Sequence, residues 1–190
     1  DKYAFCALAS SETNCKEFLR PYLAEAVASV CGDDVELCAV CVAKGMEFLN
    51  APYETIQKVT EELVRSDGER YCFSKSQEEV DTLLWEAQLK YVFPLVENYR
   101  RYFVKKYYDF IKAALPINNG YGDQVMVPEE AELGNLMYLV ERGGIPVSAE
   151  ESMELKRYRK ARNELAHMNL LSNEELCVIL KAGKHKTASD

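Results

Sequence analysis

Apolar side chains recur along this chain at helical rather than alternating spacing. Phe18, Tyr22, Ala26 and Val30 fall four apart and predict a helix over residues 14–30. A Cys-rich apolar stretch over residues 34–48 predicts a second helix. Pro52 suits the first turn of a third, which carries Ile56, Val59 and Leu63 and stops at Ser66-Asp67-Gly68. Tyr71-Cys72-Phe73 reads as a short extended piece. Ser76 with Glu79 then matches a capping box. Behind it comes the longest helical pattern, from Val80 through Leu84, Tyr91, Val96, Tyr99, Phe103 and Ile111 to about Leu115. Pro94 lies inside this pattern and predicts a kink or a split, because proline cannot donate its backbone N–H and crowds the preceding turn.

Beyond Pro116, residues 116–128 read as a loop. Asn118-Asn119-Gly120-Tyr121-Gly122 lacks the Lys and Ser/Thr of a phosphate-binding loop and reads as a turn. A helix is predicted from about Glu129 to Val140, entered by Pro128. Ser148 with Glu151 forms a second capping box, opening a helix with Leu155, Tyr158, Leu165 and Met168, and Ser172 with Glu175 starts a last one. The expected fold class is therefore all-α. The expected organisation is an N-terminal helical extension over residues 1–73, a helical domain over 74–182 and a flexible tail over 183–190. Trp85 and the Tyr91–Tyr99–Tyr107 series are expected in the core, although Lys105 and Lys106 beside Tyr107 and Tyr108 leave RNA contact open.

Charge changes this picture in one respect. The chain has 190 residues and a net charge of -8, but residues 1–90 carry 17 acidic and 9 basic side chains whereas residues 91–190 carry 14 of each. The overall sign argues against coating of long nucleic acid by charge alone, and leaves room for a local basic surface. The seven cysteines are odd in number and read as reduced, mostly buried thiols of a cytoplasmic protein. Cys38-Ala-Val-Cys41 has the spacing of half a zinc knuckle or of a redox pair, but no second pair is placed to complete a zinc site. No apolar run of about eighteen residues is present, so no membrane span is expected. The sequence opens at Asp1, which reads as a trimmed chain or a piece of a longer protein.

The chemistry concentrates in the helix after Ser148. Lys156, Arg157, Arg159, Lys160 and Arg162 precede Asn163 and His167. Histidine titrates near neutrality and arginine offers a planar fork of donors suited to phosphate. At 100° per residue Asn163 and His167 share a face, and Arg159 joins them one turn back. Arg162 lies about 140° from His167 on an ideal helix, so the two converge only if the helix loosens or a second copy supplies the missing partner. With convergence, the set supports metal-free cleavage of RNA. His167 would act as general base on the ribose 2'-hydroxyl or as general acid at the leaving oxygen. Arg162 would neutralise the growing phosphoryl charge, Asn163 would orient the histidine or hold a phosphate oxygen, and a 2',3'-cyclic phosphate would result. Lys156, Arg159 and Lys160 are the candidate RNA-binding cations. No cofactor and no metal is called for. The plain alternative is a solvated helix face, with Glu164 paired to Lys160 and His167 near the helix end.

The segment Ala161-Arg162-Asn163-Glu164-Leu165-Ala166-His167 resembles the Arg-polar-x3-His signature of the HEPN superfamily, and Leu170-Leu171-Ser172 is similar to the next helix entry of many members. The resemblance spans roughly residues 75–182. It implies a HEPN-like helical bundle with a long kinked helix, here with an additional N-terminal helical segment. It also implies homodimerisation and a metal-independent endoribonuclease with Arg162 and His167 at the dimer interface, in phage defence or a toxin–antitoxin system. An antitoxin or an upstream ATPase-like domain is the implied protein partner. The alternative implied by the same family is a non-catalytic dimerisation or nucleotide-binding module.

Overall fold

The computed structural model describes residues 2–118 and 124–187, with side chains described through residue 182. The described fold is an all-α helical bundle with one long helix. In chain order it contains α1 (Lys2–Ser10), α2 (Arg20–Cys31), α3 (Val35–Lys44), α4 (Met46–Asn50), α5 (Pro52–Glu62), α6 (Gln77–Lys106), α7 (Tyr108–Ala113), α8 (Leu133–Glu141), α9 (Ala149–Ala166) and α10 (Asn173–Thr187). Single 3-10 turns occupy Glu17–Leu19 and Pro128–Glu130, and β1 (Ile117–Asn118) pairs antiparallel with β2 (Gln124–Val125).

Most helix starts follow from local chemistry. At α6, Glu79 N donates to Ser76 Oγ at 3.3 Å and Ser76 N donates to a Glu79 carboxylate oxygen at 2.7 Å, the reciprocal pair of a capping box. The same exchange opens α9 through Ser148 and Glu151, and α10 through Ser172 and Glu175. Pro52 sits in the first turn of α5. The helix expected over residues 34–48 is divided instead into α3 and α4 at Gly45. That glycine has φ 55°, and a Cβ there would lie 3.0 Å from Asn14 Oδ1.

The long helix also departs from expectation. α6 runs unbroken through the exposed Pro94 and stops at Tyr107, where φ -112° and ψ 24° leave the helical region before α7 begins. α1, for which the pattern gave no helix, runs over Lys2–Ser10, while the start of the helix expected at residue 14 falls at Arg20.

The chain divides into two compact units, Asp1–Tyr91 with Met168–Asp190 and Val92–His167. This differs from a seam near residue 73. Residues 64–73 are pinned to the start of α3 rather than strung as a linker: Tyr71 Oη donates to Asp34 at 3.0 Å, Ser66 N donates to Glu36 at 3.1 Å and Arg65 pairs with Asp34 at 3.4 Å. In the first unit α1 packs on α2 and α3, and α3 packs on α5, around buried Leu23, Val27, Phe48 and Ile56. Gln88 is buried there. Its amide donates to Leu171 O and Tyr22 Oη and accepts from Leu171 N at 2.8 Å. Trp85, expected in the core, is half-buried beside Glu78, Asp81 and Leu170. α10 continues as helix to Thr187; the remainder of the expected tail and residues 119–123 of the expected turn lie outside the described residues.

The second unit has its own core of Val96, Phe103, Ile111, Leu136, Ile145, Leu155 and Leu165. Here α8 packs against α9, and Tyr158 of α9 stacks on Tyr99 of α6 with ring centroids 4.0 Å apart and planes 9° apart.

Candidate nucleic-acid interface

The orientation of α9 is set by its buried stripe. Leu155, Tyr158, Ala161 and Leu165 fall three, three and four residues apart and are all buried. Near its start, Lys106 pairs with Glu151, and Tyr107 Oη donates to the same carboxylate oxygen at 2.9 Å. The Lys106 contact holds the Glu151 carboxyl at about 2, aided by the Ser148 N–H and the Tyr107 hydroxyl. These contacts commit the buried stripe inward and leave the opposite face of α9 to solvent.

That opposite face carries a shallow trough of about 530 Å³, lined by Met153, Lys156, Arg157, Arg159, Lys160, Asn163 and Glu164. All seven residues belong to α9, so the trough is a hollow between long side chains on one helix rather than a cleft between elements. Lys156, Arg159, Lys160 and Asn163 of the sequence-predicted set are brought together here. Arg157 belongs with them; its position three residues before Lys160 and four after Met153 is the periodic signal that marks it.

Arg162 and His167 do not line the trough. Arg162 is exposed and sits next to buried Ala161 on the far side of the helix. His167 is exposed at the C-terminal cap of α9, where its backbone N–H donates to Asn163 O and Glu164 O at 3.1 Å each. It falls one turn beyond Asn163, in line with the trough's axis. The helix does not loosen before its cap, so within one chain Arg162 and His167 remain on different faces. Met168 follows at φ 61°, the left-handed position that ends many helices and that usually falls to glycine.

Arg100 and Arg101 of α6 form another basic pair, and both are engaged in structural contacts. Arg100 donates to both carboxylate oxygens of Glu97 and, through Nη1, to Glu129 O at 2.7 Å and Ala131 O at 3.1 Å. Arg101 pairs with Glu97 at 3.0 Å. Tyr107 is buried, so of the two tyrosines beside Lys105 and Lys106 only Tyr108 reaches solvent. Among the described residues no group of three or more His, Cys, Asp or Glu is arranged to hold a metal ion, and no helix is long and apolar enough to cross a membrane.

No family model, no curated protein and no solved structure matches this chain.

Proposed function

We propose that the α9 face binds RNA and that the chain is a metal-independent endoribonuclease of the HEPN type, acting as a homodimer. The observation that carries the binding part is the trough, where four cations and the Asn163 amide line one face of one helix and His167 follows a turn later. Cations spaced along a helix suit contacts to successive phosphates, and cleavage through a 2'-hydroxyl requires RNA. In the catalytic step His167 moves the proton at the 2'-oxygen or the leaving oxygen. Arg162 stabilises phosphoryl charge. Because Arg162 and His167 lie on different faces of α9, the arginine serving one histidine comes from the second copy, which makes the active unit a dimer. A cytoplasmic setting and a role in phage defence or a toxin–antitoxin system belong to the same reading.

A second reading is favoured by the position of Arg162 alone. A helical module that binds nucleotide or RNA on the trough and dimerises without cutting needs no pairing of Arg162 with His167.

The two readings separate on purified protein. With EDTA present the nuclease cuts unstructured RNA to 2',3'-cyclic phosphate ends. His167→Ala and Arg162→Ala each reduce that rate by about 10²–10⁴-fold while circular dichroism stays unchanged. RNA that remains intact at high protein concentration, with retained binding lost on combined Lys156→Ala and Lys160→Ala substitution, selects the binding module.

A further inference from the structure

The first turns of α6 carry a second feature, unrelated to the α9 trough. Glu78, Asp81, Thr82 and Trp85 stand at helical spacing, three, one and three residues apart, so one face of α6 presents all four. Met168 and Leu170, from the segment that precedes α10, complete the lining of a cavity of about 330 Å³. Every lining residue belongs to the first compact unit. Gln88, one turn beyond Trp85, holds this segment to α6. It donates to Leu171 O at 3.1 Å and accepts from Leu171 N at 2.8 Å, which fixes the chain beside Leu170. The cavity is therefore built by a buried hydrogen-bond pair and not by a chance approach of surface side chains.

Its lining combines two chemistries. The half-buried Trp85 and the exposed Met168 and Leu170 give apolar, polarizable walls. Glu78 and Asp81 give carboxylates, and among the described residues neither side chain has an ion-pair or hydrogen-bond partner. Thr82 Oγ1 already donates to Glu78 O at 2.9 Å, so it offers the cavity an acceptor. No Lys, Arg or His lines the cavity. The surrounding helix has the same sign: from Gln77 to Leu89, α6 carries Glu78, Glu79, Asp81 and Glu86 and no basic residue.

This arrangement selects a cation on an apolar stem. A hard metal ion needs about six oxygen ligands, which apolar walls do not supply. A nucleotide would bring phosphate against two carboxylates. An ammonium satisfies the charge as a compact point. A guanidinium does more, because it is planar, lies flat on an indole and has five donors to share between two carboxylates.

We propose that this cavity is the docking site for an arginine side chain on a basic segment of a partner protein. The guanidinium lies against Trp85 and donates to Glu78 and Asp81, and Met168 and Leu170 cover its aliphatic stem. The acidic turns of α6 around the cavity give the charge complementarity that favours a basic segment over a lone side-chain analogue. The proposal is independent of the RNA-binding reading.

Trp85 is the only tryptophan of the chain, so its fluorescence reports directly on the cavity. The full chain is titrated with a capped Gly-Lys-Arg-Lys-Gly peptide, with the all-lysine peptide of equal charge and with agmatine, a free guanidinium on an aliphatic stem. The arginine peptide is expected to give a saturable change. The all-lysine peptide and agmatine are each expected to bind at least about tenfold more weakly. Combined Glu78→Gln and Asp81→Asn substitution should weaken the arginine peptide about tenfold or more with circular dichroism unchanged. Combined Glu54→Gln and Glu86→Gln removes the same charge outside the cavity and should leave affinity within about twofold. The proposal is overturned if no saturable change occurs, if the all-lysine peptide binds equally well, or if the two double variants weaken binding equally. Agmatine binding as tightly as the arginine peptide also overturns it, since the ligand is then a free guanidinium compound and not a partner segment.

Discussion

Arg162 and His167 could be picked out of the sequence because residue chemistry survives without coordinates: one of two histidines stands beside the densest run of cations. Their angular separation was equally readable, since it follows from helix geometry alone. The partnership of Glu151 with Lys106 was not, because its members lie 45 residues apart and meet only when α9 has docked on α6. Periodicity assigns Glu151 to a capping box and is silent about the ion pair. That pair yields a prediction about acid stability. The Glu151 carboxyl titrates at about 2 in the folded chain, against an ordinary value near 4.5. A depressed carboxyl contributes stability that is complete above its unfolded pKa and is lost as pH falls through the folded one. Its window is therefore about pH 4.5 down to 2. Both partners are solvated, so screening keeps the contribution small, as for other surface ion pairs. Glu151→Gln keeps the capping geometry, since glutamine serves at that position, and removes only the charge. Urea unfolding of this variant should show slightly less stability at pH 7 and a flatter dependence between pH 4.5 and 2. Parallel acid limbs in the two proteins would refute the assignment.

Among the elements, what the sequence makes legible depends on how local the cause is. Each of the three Ser–Glu capping boxes involves residues three apart, and all three are formed. The break at Gly45 combines a positive φ with a close approach of Asn14, thirty-one residues earlier, and the 34–48 pattern carries no sign of either. Local propensity predicts a kink or a split at Pro94, and α6 is not split there, running from Gln77 to Lys106. Its ring faces solvent, where water can take up the carbonyl of Lys90 that loses its intrahelical partner. Buried Val92, Val96 and Tyr99 on the other face hold the helix to the core of its own unit. The proline is then a cost without a local return. Pro94→Ala restores the missing hydrogen bond and removes the clash. It should raise stability by about 1–3 kcal/mol in urea unfolding with an unchanged denaturant slope. A loss of stability instead would mean that the core on that face is fitted to a bend at Pro94.

At the scale of the whole chain, the sequence shows helix content well and division poorly. A linear reading looks for a seam where composition changes, and Ser66-Asp67-Gly68 supplied one. The structure instead returns Met168–Asp190 to the unit formed by Asp1–Tyr91. Such a return depends on contacts 83 residues apart, for which neither periodicity nor composition leaves a mark. Its clearest agent is Gln88, a polar side chain placed within an otherwise apolar core face. It satisfies both backbone groups of the buried Leu171 and reaches Tyr22 of α2 at 3.3 Å. The tyrosine hydroxyl is itself enclosed, and burial pushes its pKa up to about 12. Gln88→Ala would leave an N–H and a C=O without partners in a dry site, at a cost of about 2–4 kcal/mol. Gln88→Glu would preserve the acceptor for Leu171 N but lose the donor and bury a carboxylate, so it should rescue little or nothing at pH 7. Hydrogen exchange identifies where the loss falls. In Gln88→Ala the amides of Leu171 and of α10 should lose protection along with those of α2, while the amides of α8 and α9 retain theirs. Equal loss of protection throughout the chain would show instead that Gln88 supports a single cooperative body and that the two units do not open separately.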